Sequence, residues 1–190
     1  MKTRLFWILA TILLAVVTHV SLVLFSARVS LPKRFETIMQ GRVNTFQVLD
    51  GKALAALTRR PLKHMLYGGC LIVPGAGRVE MKTSIPDGYW SVSVYSEQGN
   101  VVYTLNDRHL GVDALTIVFQ GKDKSQNGVI EAPRLRKGQL VVPLDAARVL
   151  AITQTYVAHP GAYRRKLREL KATTCTARAQ KLERRTRSGR

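Results

Sequence analysis

"GYWSVSVYSEQGNVVYTLND", residues 88–107, alternates apolar and polar side chains, breaks at Gly99-Asn100, and alternates again. A period of two marks a strand buried on one face and open on the other. Trp90, Val92 and Val94 fall on one side, and Tyr89, Ser91, Ser93 and Tyr95 on the other. Gly99 supplies the positive φ that a short hairpin loop requires. The stretch reads as a β-hairpin with the Trp90 side in a core and the tyrosines on a half-exposed face. A sharper reading has Tyr89, Tyr95 and Tyr103 lining a ligand groove together with Asn106, Asp107 and Arg108.

The same texture extends in both directions. "CLIVP" (70–74), "RVEMKTSIP" (78–86), "ALTIVFQ" (114–120), "GVIEAP" (128–133), "QLVVPL" (139–144) and "RVLAITQTYV" (148–157) are short runs rich in β-branched residues. Gly, Pro, Asp and Asn separate them, as strands joined by tight turns require. Many short strands with few intervening helices make the chain mainly β, an antiparallel sandwich or partial barrel.

The series stops at both ends. "HPGAYRRKLRELKATTC" sets Tyr163, Leu167 and Leu170 on one helical stripe, with Arg164, Arg165, Lys166 and Arg168 around it. Past Cys175, "TARAQKLERRTRSGR" has almost no apolar content and reads as a solvated basic tail. Upstream, "GKALAALTRRPLKHMLYGG" reads as a helical turn on each side of Pro61. Pro32 followed by Phe35, Ile38 and Met39 predicts a short amphipathic helix.

Residues 5–27, "LFWILATILLAVVTHVSLVLFSA", hold no charged residue. About 20 such residues cross a bilayer core of about 30 Å. The run is longer than the apolar region of a cleavable signal, and Phe25 stands where a cleavage site needs a small residue. The resulting map is 1–4 a short N-terminal tail, 5–27 a transmembrane anchor, 28–68 a linker with short helices, 69–175 the β domain and 176–190 the basic tail. Lys2 and Arg4 flank the anchor on one side and Arg28, Lys33, Arg34 and Arg42 on the other, which does not favour exporting the C-terminal part. Cys70 and Cys175 are either an oxidised pair in an exported domain or two buried thiols.

Several of these features together resemble the bacterial single-anchor envelope proteins grouped as domain of unknown function 1254. They are the histidine-containing anchor (His19), "PLKHMLYGGC", the aromatic hairpin through Asn106-Asp107-Arg108, and the closing helix ending in "TTC". The resemblance covers roughly residues 12–175. It implies that Cys70 in the first strand and Cys175 at the end of the last helix are bonded. It also implies a single-pass inner-membrane protein with its C-terminal domain in the periplasm. No activity comes with the family, and this chain departs from it in its basic charge and in the tail past Cys175.

Signatures of catalysis, metal or cofactor binding are lacking. His19, His64, His109 and His159 have no partner at metal-ligand spacing. "GKDKS" (121–125) lacks the upstream glycine of a phosphate loop, and "GAG" (75–77) lacks the third glycine of a dinucleotide fingerprint. "NDRH" (106–109) reads as a turn stabilised by Asn106 and Asp107 rather than an acid–base pair. His19 within the span is a functional flag, although a neutral histidine on a lone helix also satisfies itself with interfacial water.

A net charge of +18 bounds the partners to anionic surfaces. The first expectation is a non-enzymatic envelope protein contacting the lipid membrane and other envelope proteins. Arg164, Arg165, Lys166, Arg168, Arg184, Arg185, Arg187 and Arg190 would be its anionic-surface residues. A nucleic-acid or ribosome binder would need the opposite topology and shows no stacking module, so no nucleic acid is expected. An enzyme of unknown class, using "NDRH" and the tyrosines, is the third reading. Nothing in the sequence specifies an oligomeric state.

Overall fold

The computed structural model describes residues 2–58, 60–75, 77–109, 113–121, 134–136 and 139–178. It opens with one helix, α1 (Lys2–Met39), 38 residues or about 57 Å long. Residues Thr3–Phe25 are wholly uncovered by the rest of the chain and are long and apolar enough to cross a membrane. The amphipathic stripe read at Phe35, Ile38 and Met39 is real, but the helix does not begin at Pro32. α1 runs through the proline, which removes one backbone bond and leaves the turns on either side intact. The helix closes where Gln40 turns left-handed (φ 50°) and Gly41 N donates to Glu36 O at 3.0 Å, a Schellman arrangement.

After α1 come β1 (Gln47–Leu49), α2 (Gly51–Leu57), β2 (Met65–Ile72), β3 (Arg78–Ser84), β4 (Trp90–Ser96), β5 (Val101–Asn106), β6 (Ala114–Gly121), β7 (Arg134–Arg136), β8 (Gln139–Leu144), β9 (Val149–Tyr156), α3 (Tyr163–Lys171) and β10 (Thr174–Arg178). They form two five-stranded sheets, β1-β2-β9-β4-β5 and β10-β3-β6-β8-β7. The inner faces meet over Trp90, Val92, Val94, Met81, Ile117, Phe119, Val142 and Ala151, so the mainly β, sandwich-like fold read from the sequence is the observed one.

Four local expectations change. β6 and β8 pair in parallel, with Thr116 opposite Gln139 and Gly121 opposite Leu144. The sheet takes in residues read as linker: β1, and β2 from Met65. No helical turn follows Pro61; Lys63 and His64 form a turn that leads straight into β2. Cys175 lies in β10 rather than at a helix end, since α3 stops at Lys171. The strand read at 128–133 lies outside the described residues.

Gly68 and Gly69 explain how a strand can carry two glycines. A Cβ on Gly68 would run into the Phe46 ring, and one on Gly69 would stand 3.2 Å from Met39 Sδ. The bare backbone of β2 is what lets the end of α1 settle on the sheet. Phe35, Ile38 and Met39 pack there with Leu49, Ala53, Tyr67, Leu71, Leu150 and Ile152, a second core on the outer face. Burying three such side chains contributes about 1.5–3 kcal/mol each.

Cys70 and Cys175 form a disulfide, with Cα atoms 6.5 Å apart and 105 positions between them. The bridge joins β2 of one sheet to β10 of the other, and in the chain-entropy model a loop of this size is worth up to about 4.7 kcal/mol. Leu66, Val157, Ala162 and Leu170 form a third, smaller cluster in which α3 closes the β1/β10 side of the sandwich.

Candidate functional site

The geometry separates two ends. Ile72, Ser96 and Val149 lie in register at one end of the first sheet, and Met65, Trp90 and Tyr156 lie toward the other. Glu36 on α1 accepts a bond from Arg148 Nη1 at 2.9 Å, and Arg148 immediately precedes β9. Three residues later Met39 already sits over Gly69, so α1 enters across the Arg148 corner and everything before Glu36 leads away past it. This is the anchor end of the sandwich. From Phe25 to Glu36 is 11 residues of helix, about 16 Å.

Arg148 also donates through Nε to Glu97 at the tip of the β4–β5 hairpin. One guanidinium therefore ties the anchor helix to two strand connections. These bonds, to Glu36 first and then to Glu97, raise its pKa from the ordinary arginine value. The three side chains are 35%, 54% and 20% exposed, so each pair contributes about 0.2–1 kcal/mol at most. Their effect is chiefly on orientation. The sequence carries no sign of this cluster, because Arg148 lies 112 and 51 positions from its partners.

The basic residues of the sequence reading that lie among the described residues, Arg164, Arg165, Lys166 and Arg168, are all on α3. α3 lies toward the far end: Arg165 faces Asp87, in the β3–β4 turn, at 4.0 Å and Glu169 at 3.8 Å. Lys166 is a correction, because it is buried rather than presented to a surface. Its Nζ donates to Asp87 O at 2.6 Å and stands 3.5 Å from Glu169, which satisfies a charge that the stripe of Leu167 and Leu170 draws inward. Arg164 and Arg168 are exposed. Arg178, by contrast, ends β10 opposite Arg78 at the anchor end, and both reach the buried carboxylate of Glu80, at 2.9 and 3.3 Å. Arg184, Arg185, Arg187 and Arg190 lie outside the described residues.

The tyrosines do not share a groove. Tyr103 pairs with Val94 and so faces the inner core, where burial pushes its hydroxyl pKa up. Tyr95 packs on the outer cluster beneath α1 and α2, and Tyr89 is exposed with its hydroxyl 3.3 Å from Ser91 Oγ. The register shift after Val94 turns Tyr103 to the face opposite Tyr95, and Tyr89 lies six positions from Tyr95, just before β4 begins. Asn106 Oδ1 accepts from Arg108 N at 3.2 Å and opens the 3-10 turn Asp107–His109, the turn chemistry read from "NDRH". Among the described residues no group of His, Cys, Asp and Glu is arranged to hold a metal ion.

No family model matches the chain, and no curated protein does. Among solved structures it is similar to the VPA0106 protein of Vibrio parahaemolyticus, with a TM-score of 0.59 at 12% identity over 81% of this chain and 35% of that one. An uncharacterized protein of Burkholderia cenocepacia aligns with a TM-score of 0.44 at 12% identity, over 74% of this chain and 36% of the other. The chain thus spans about a third of the length of each. The likeness to the Vibrio protein is one of fold.

Replacing Arg148 with Ala should lower the stability of the full chain by about 1 kcal/mol, with a smaller loss at high salt. Hydrogen exchange should quicken at residues 35–41 more than in β6. Uniform quickening throughout the sandwich would contradict a tie between anchor and domain.

Proposed function

We propose that the chain is a single-pass inner-membrane protein that holds a non-enzymatic β domain in the periplasm, close against the membrane, for contact with other envelope components. The Cys70–Cys175 disulfide carries this reading, because such bonds persist in oxidising compartments and are rare where thiols are kept reduced. The apolar span, its continuity with the docked part of α1, and the resemblance to the domain of unknown function 1254 group support it too. The flanking charges oppose this topology, but they only bias insertion, and the disulfide favours an oxidising compartment.

The tail belongs to the same reading. It departs from Arg178 at the anchor end. Residues 179–190 carry Lys181, Arg184, Arg185, Arg187 and Arg190 against Glu183, five minus one, a net charge of +4. Twelve residues span up to about 40 Å, ample to reach the headgroups. Each engaged cation contributes on the order of 1 kcal/mol, and tethering removes most of the translational cost.

A reporter fused after Arg190 should be active only when exported, with no alkylatable thiol in the unreduced protein. Activity confined to the cytoplasm, with two free thiols, would overturn the topology and return the nucleic-acid reading. In vesicles bearing the full chain, tryptic removal of the tail should be slower with anionic than with zwitterionic lipid, and the difference should vanish at high salt. Equal rates would leave the tail without a membrane role.

A further inference from the structure

The far end of the sandwich holds a cavity of about 400 Å³, within the size range of small-molecule sites. Its apolar wall is Met65 and Leu66 at the start of β2, Val157 just past β9, and Pro160 before α3. His64, Tyr163 and Arg164 stand around it as the polar groups. We propose that this cavity binds a small apolar carboxylate, with the acid on Arg164 and the body of the molecule against Met65, Leu66, Val157 and Pro160.

The wall is built on secondary structure rather than on loose chain. His64 is held left-handed (φ 66°), a conformation that residues other than glycine seldom adopt, and Val157 N donates to its carbonyl at 2.7 Å. Leu66 and Val157 are themselves buried against Ala162 and Leu170. The cavity is therefore formed before any ligand arrives, which reduces the ordering cost of binding.

Charge selects the ligand. Among the described residues, the side chains of His64, Tyr163 and Arg164 have no hydrogen bond or ion pair with one another or with any neighbour. Among the described residues no carboxylate lines the cavity, and the adjacent Arg165 is the arginine engaged with Asp87 and Glu169. A guanidinium free of partners beside an apolar wall suits a carboxylate, which it meets through two parallel bonds, while tyrosine and histidine donors take the remaining lone pairs. A cationic ligand would be repelled by Arg164. A lipid headgroup is the wrong source, because the cavity lies at the end of the sandwich away from the anchor, so the acid comes from the surrounding solution. The proposal holds on either side of the membrane and does not depend on the topology argued above.

The probe is phenylacetate, titrated by ligand-detected NMR onto the full chain in zwitterionic nanodiscs, with empty nanodiscs as the blank. Saturable binding is expected, with phenylacetamide and phenethylamine each weaker by about tenfold or more, because a bond to a charged group is lost or reversed. Arg164→Gln should weaken phenylacetate by a similar factor, whereas Arg165→Gln should leave it unchanged. Absence of saturable binding, equal binding of the acid and the amide, or equal losses in the two arginine variants would overturn the assignment.

Discussion

Met39 lies against the bare backbone of Gly69, and that contact sets how the long apolar helix meets the folded part. α1 does not hand over to a flexible linker. Its last turns become part of the outer core, with Phe35, Ile38 and Met39 on one stripe over β2 and β9. A side chain at Gly69 would crowd Met39 Sδ and Ile152 Cδ1 at 3.2 Å, so both would have to give way slightly. Apolar burial provides most of the energy here; the ion pairs are too exposed to do more than select among ways of seating the helix.

From that seating the rest follows by connectivity. Ile72 and Arg78 are joined by a short connection, Leu144 and Val149 by another, so the two sheets present the same end toward the anchor. β10 then runs from its pairing with Lys82 to its pairing with Arg78 and stops at that end, while α3 is left near the other. The disulfide fixes this arrangement across the sheets, since Cys70 lies one position past Gly69 in β2 and Cys175 sits within β10. One end of the domain thus carries the long apolar helix, and the other holds the cavity.

The parts of this structure legible from the sequence are those encoded in local periodicity. The alternation around Trp90 identifies β4 and its inner face, and the uncharged run at 5–27 identifies the span. The rest depends on distant contacts. The place of Gly68 and Gly69 inside a strand makes sense only with Phe46 and Met39 lying over them. Lys166 reads as a surface cation because helical spacing alone cannot show Asp87 O waiting beside it. Tyr103 looks like a partner of Tyr95, but a register shift in the hairpin sets it opposite Val94. The Glu36–Arg148–Glu97 cluster and the far cavity each assemble from segments remote in sequence, and composition is blind to both.

The central claim is that the sandwich stands on the membrane in one orientation, with the β4–β5 hairpin tip near the headgroups and the α3 end away. Strands of eight residues make the two ends about 26 Å apart, enough to be told apart by a short-range quencher. A fluorescent amino acid placed at Asn100 or at Ala158, in the full chain reconstituted with nitroxide-headgroup lipid, reports each end separately. The account predicts strong quenching at Asn100 and little at Ala158. Equal quenching at both positions, or the reverse order, would contradict it.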